Sequence, residues 1–195
     1  MVWQRLTRTV APAVPAVALA DAKAHLRVEF SEDDSLIAGL VEAATAMVEG
    51  PAGIGVALVT QTWRLDLDGY LPLPLELPLG PVQAVTGITY IDTDGDTQTL
   101  DPALYDVFTG SRPARIDKAF GAALPAVRRQ LSAAQVTFTA GFGSAADIPA
   151  DLQCAMLLMV GHLYHNRQAV DRQMQVLPMG FASIVERYRV GRFGV

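Results

Sequence analysis

The spacing of apolar residues changes period twice along this chain, and that double change limits the folds open to it. Before Gly50 and after Asp147 apolar residues recur every three or four positions, as on one side of a helix; from Gly55 to Gly143 they alternate, as along a strand. A strand-rich section inserted between two helical blocks predicts an α+β protein. Its N- and C-terminal helices pack together around an inserted, mainly antiparallel β section. Turn residues arrive too often in that section for parallel crossovers.

Four segments follow. Residues 1–17 read as an extended arm punctuated by Pro12 and Pro15, and 18–50 hold two helices, Leu19 to about Val28 and about Asp34 to Glu49, the second capped by Ser31 or Asp33. Residues 51–146 form the β section. Residues 147–195 hold the C-terminal helices and tail, which make one structural unit with the N-terminal helices. Within the β section, Val59, Gln61, Trp63, Leu65 and Leu67 share one strand face, with Asp66 on the wet face opposite. The Pro-studded run LPLPLELPLGP permits only a short or edge strand. Asp94-Gly95 marks a hairpin tip. Tyr105–Phe108, Ala114–Asp117 and Gln135–Ala140 complete a set of six or seven strands.

The strongest helical pattern runs from Ile148 to Val170. Asp147 supplies a capping oxygen and Pro149 suits the first turn, where no amide donor is needed. Leu152, Met156, Met159 and Leu163 form a stripe, and Leu157, Leu158 and Val160 widen it, so this helix needs cover on more than one side. Met156, Leu157 and Val160 are therefore candidates for packing between subunits. Cys154 reads as a small core residue.

Composition narrows the function classes. A net charge of −5 with only Lys23 and Lys118 as lysines argues against a basic nucleic-acid-binding face, which needs clustered cations to displace counterions. No apolar run reaches the roughly 18 residues of a membrane-spanning helix. Arg5 and Arg8 before an Ala/Val-rich run ending in Ala18-Leu19-Ala20 have the look of an export signal, but Pro12 and Pro15 break that run.

Candidate chemistry is sparse. His162 and His165 share a helix face at a spacing metal ligands use, but no third ligand is within reach, and Cys154 is about 16 Å away along the axis at 1.5 Å per residue. Asp92, Asp94 and Asp96 are better explained by hairpin turn chemistry than by a calcium loop, since no distal glutamate closes the set. Gly53-Ile-Gly55 lies between a helix and a strand, the reverse of a dinucleotide-binding turn. Asp66 and Asp68 alternate with leucines as strand residues do, and His25 lies on a helix with Lys23 and Arg27. None of these makes a catalytic, cofactor or metal site. The tail does combine cationic and aromatic residues, Arg187, Tyr188, Arg189, Arg192 and Phe193, of the types enriched at protein interfaces.

Taken together, ALADAKAHLRVEFSEDDSLIAGLVEAATAMVEG, LVTQTWRLDLDGY, ITYIDTDGDTQTLDPALYDV, VTFTAGFG and DIPADLQCAMLLMVGHLYHNRQAV, in this order, resemble the head-tail connector (adaptor) proteins of tailed phages, prophages and gene transfer agents. The resemblance implies a structural protein without catalysis or cofactor. It would form a homo-oligomeric ring, typically dodecameric, in the neck of a virion or phage-like particle assembled in the bacterial cytoplasm. Its partners would be the portal protein above and a tail-side connector or tail-terminator protein below, and DNA would pass through its channel without sequence-specific binding. By the same resemblance, Tyr188, Arg189, Arg192 and Phe193 would anchor the tail in the portal. Two other classes stay open: an exported β-rich binding protein, and a small hydrolase built on His162 or His165.

Overall fold

The computed structural model describes residues 4–166 and 179–189. The described elements run β1 (Gln4–Val10), α1 (Leu19–Leu26), α2 (Asp34–Val48), β2 (Gln61–Leu67), β3 (Leu75–Leu77), β4 (Val82–Ile91), β5 (Thr97–Thr99), β6 (Tyr105–Phe108), β7 (Ala114–Lys118), β8 (Ala134–Ala140), α3 (Ala150–His165) and α4 (Met179–Tyr188). This is the α+β arrangement the periods predict. The described residues form two compact units: one of 4–13 and 60–141, the other of 14–59, 142–166 and 179–189.

The first unit is the β section. Its larger sheet has the order β1-β2-β8-β4-β5 and its smaller one β3-β7-β6, with every strand pair antiparallel. The alternation read for β2 holds: Gln61, Trp63, Leu65 and Leu67 are buried. Opposite them on β8, Phe138, Val136 and Ala134 are buried as well, in register with Trp63, Leu65 and Leu67. The Pro-studded run yields only the three-residue β3, at a sheet edge as its missing donors require. At the β4–β5 turn, one oxygen of Asp92 accepts from the amides of Asp94, Gly95 and Asp96, and Gly95 takes φ +103°. An Asx-type turn of this kind needs no metal to hold it.

Two features of this unit do not follow from local sequence. The arm read as extended is a paired strand over Gln4–Val10, with Arg5 opposite Asp66 and Leu6 opposite Leu65 on β2. Its polar, cationic composition suits an edge that must not pair further, which also hides it from a search for apolar alternation. Asp66, expected on the wet face, is only 4% exposed. The added strand and the Arg64 guanidinium, 3.3 Å from its carboxylate, close over it.

The second unit is helical. α3 packs against α1, α2 and α4, and α1 also packs against α2. Lys23 of α1 pairs with Asp34 at 2.5 Å, and the Tyr164 hydroxyl of α3 donates to Asp33 at the start of α2, also at 2.5 Å. The two ends of the β insertion meet here: the Phe142 amide donates to the Leu58 carbonyl, and Val59 and Gly143 form a parallel bridge. The Leu58 amide donates to the Glu49 carboxylate just past α2.

α3 starts two residues later than read from the sequence, and the cap differs. Asp147 closes a short 3-10 turn, Ala145–Asp147, by accepting from both the amide and the hydroxyl of Ser144 at 2.7 Å. Pro149 takes the N-cap of α3. The part of the expected helix beyond Asn166 lies outside the described residues. Cys154 is exposed rather than part of the core, because two residues past the buried Leu152 it turns to the opposite side of the helix.

Candidate assembly surfaces

The residues that first suggested chemistry do not converge. His165 stands exposed with its ring edge-on to Tyr164, 5.7 Å between centroids, while His162 is approached by the Asn166 amide at 3.4 Å. Among the described residues no three histidines, cysteines or carboxylates gather as metal ligands would. The carboxylates with clearly shifted acidity are turn residues. Asp92 is held below the ordinary carboxylate value by the Gln98 amide and then by backbone donors, and Asp147 is held below it by the Ser144 hydroxyl and then its amide. Tyr105 is pushed up by burial and, secondarily, by the charge of Asp101. These shifts come from local hydrogen bonds, packing and one neighbouring charge, and none of the three groups perturbs another.

What the structure does build is the point where the C-terminal tail departs. α4 carries Phe181 and Val185 into the core of the helical unit. At its end the Tyr188 hydroxyl donates to Asp151 Oδ1 at 2.8 Å, and Arg187 meets Asp151 Oδ2 at 2.9 Å. The Tyr188 ring also packs edge-on to Phe142, 6.4 Å between centroids. Asp151 lies in the first turn of α3, where the helix dipole favours its charge, so one carboxylate serves both helices. Arg189 is turned toward Glu186, Nε to Oε2 2.9 Å. Arg192 and Phe193, expected to act with them, lie outside the described residues.

The three residues suggested for subunit packing are placed differently from one another. Met156 and Val160 are buried under the chain's own helices, and Leu157 keeps partial exposure. Exposed apolar side chains lie elsewhere, among them Leu36 and Met47 on α2 and Phe30, Phe120 and Leu131 on loops. Reasoning from the sequence missed this. α2 and α3 are both apolar over most of their circumference, and nothing local tells which one the fold covers.

A small apolar hollow of about 100 Å³ is lined by Tyr70, Leu71, Tyr90, Leu124, Pro125 and Val127. It holds no titratable group other than the two phenols, which suits packing rather than chemistry.

Residues 17–96 match the sequence model of a family described as phage gp6-like head-tail connector proteins. Three solved structures are similar over nearly the whole chain, each match covering 97% of this chain and 97% of the other. They are a chain of the virion of a native gene transfer agent particle (26% identity, TM-score 0.78), one of the neck of an empty particle of that kind computed with C6 symmetry (28%, 0.79), and one of the neck of a native particle computed with C12 symmetry (26%, 0.69). The resemblance to head-tail connector proteins holds. No curated protein sequence matches the chain. Among the described residues no helix is long and apolar enough to cross a membrane.

Proposed function

We propose that this chain is the subunit of a head-tail connector ring in the neck of a phage-like particle, seated beneath the portal. There it extends the channel for DNA and offers the surface on which the tail docks. The observation that carries this reading is the end-to-end match, 97% of both chains, to chains from particle necks computed with C6 and C12 symmetry. A subunit of such a neck is repeated around the DNA axis, so heterologous contacts between copies close a ring. The role is structural, without a catalytic step. The acidity of the chain, net −5, suits a channel wall that does not hold DNA electrostatically.

The tail beginning at Tyr188 is the portal-facing part, with Arg189, Arg192 and Phe193 as anchors beyond the Asp151 clamp. Tyr188, held by Asp151 and Phe142, sets the direction in which that tail leaves. Mixing the full chain with its cognate portal and imaging by negative stain tests the reading: a ring on the portal is expected, and portals left bare would sink it. Deleting Arg189–Val195 is expected to abolish attachment and leave the circular dichroism spectrum unchanged. Undiminished attachment would remove the tail from the interface.

A further inference from the structure

α2 has three sides. Ile37, Val41, Ala44 and Val48 are buried, and Ser35, Ala38, Glu42 and Thr45 form a sector beside them. The remaining third of the helix carries Leu36, Gly39, Leu40, Ala43, Ala46 and Met47, with no polar side chain among them. Leu36 and Met47 are 38% and 40% exposed, and a Cβ added at Gly39 would meet nothing within 4 Å, so among the described residues none covers this face there. Between Val28 and Trp63 the sequence has six carboxylates and no lysine or arginine; Asp34 is paired with Lys23, Asp33 accepts from Tyr164 and Glu49 from the Leu58 amide, and Glu29, Glu32 and Glu42 are exposed.

A loop of opposite character follows β7. Ala119–Ala122 is a tight turn, with Gly121 at φ +74° and the Ala122 amide donating to the Ala119 carbonyl, and it holds the Phe120 side chain completely exposed (106%). The loop runs on to Leu131, 72% exposed, past Arg128, whose guanidinium lies against Gly95 of the β4–β5 turn, and past the exposed Arg129; from the exposed Lys118 to Leu131 it contains no carboxylate. A bare aromatic on a loop that carries cations and no carboxylate has the composition of an interface anchor.

We infer that the Phe120 loop of one copy docks on the exposed apolar face of α2 in the next copy, the ring of Phe120 lying over Gly39 and Ala43 with Lys118 and Arg129 facing the exposed carboxylates beside α2. The inference rests on the ring reading above and names the surfaces that would make the ring. Two unlike, complementary patches on one chain are what a heterologous, closing contact requires; a self-complementary patch would stop at a dimer. Charge complementarity selects a second copy over an acidic partner, which the surroundings of α2 would repel, and over DNA, which they would repel more strongly.

The test uses the full chain with Cys154→Ser, Ala119→Cys and Ala43→Cys, which keeps Phe120, oxidised both free at high concentration and bound to the cognate portal. A disulfide ladder extending past the dimer is expected, with neither single-cysteine variant giving one. A ladder that stops at dimer, or no ladder in either setting, overturns the inference. Chain bound to the portal without a ladder leaves the neck reading intact and this contact wrong, whereas a ladder in solution with bare portals does the reverse. As a second arm, Lys118→Glu with Arg129→Glu is expected to lose self-association while keeping its fold, and adding Glu42→Arg to restore part of it. Unchanged self-association in the double charge variant also overturns the inference.

Discussion

The hydroxyl of Tyr188, the last residue of α4, donates to the carboxylate of Asp151 in the first turn of α3, 37 residues earlier in the chain. This bond, with the neighbouring Arg187 pair and the Phe142 ring contact, fixes the end of α4.

Tyr188→Phe removes the hydroxyl and is expected to destabilise the end of α4 by about 0.5–1.5 kcal/mol, the net worth of an ordinary hydrogen bond. Arg187→Ala should cost less, about 0–1 kcal/mol, because that guanidinium is largely in solvent. Native-state hydrogen exchange of the α4 amides measures both, and equal protection in wild type and Tyr188→Phe would show that the bond does not hold the helix.

Gly143→Ala should be poorly tolerated. Gly143 has φ +136°, and an added Cβ would lie 2.5 Å from Asp147 Oδ2 and close to the Cγ and Cβ of the same residue. Relief would displace the carboxylate that closes the Ser144 turn, so a loss of roughly 1–3 kcal/mol in urea unfolding is expected.

Phe138→Ala empties the centre of the larger sheet. Phe138 is fully buried on β8 and in register with Trp63 on β2 and Val85 on β4. The expected loss is about 3–5 kcal/mol, read from chemical denaturation. A loss below that of Gly143→Ala would show that the sheet core does not dominate stability.

Acid should weaken the turns that Asp92 and Asp147 close. Both carboxylates are held below their ordinary value in the folded chain, so their contribution is complete above that value and is lost as pH falls through the lowered one. A melting curve followed down the acid range should therefore fall less steeply in Asp147→Asn than in wild type. Parallel curves would remove Asp147 as a contributor.

Much of the architecture was legible in the sequence, and the reason is local. The alternation from Gln61 to Leu67, the Asp94-Gly95 hairpin and the helical stripes of α2 and α3 are short-range patterns, and each forms the predicted element. The Pro-rich stretch around β3 limits a strand by chemistry that acts within a few residues. Resemblance to connectors was legible for the same reason, since it is carried by those runs in order.

What only the tertiary structure decided are pairings between distant residues. Strand β1 exists because β2, more than fifty residues away, offers it an edge; the same pairing buries Asp66, which its own strand period places in water. Two helices apolar on several sides compete for cover, and packing around α3 covers Met156 and Val160 while leaving Leu36 and Met47 on α2 exposed. Local sequence sets which backbone conformation is cheapest; which apolar face loses its water depends on what the rest of the chain brings against it.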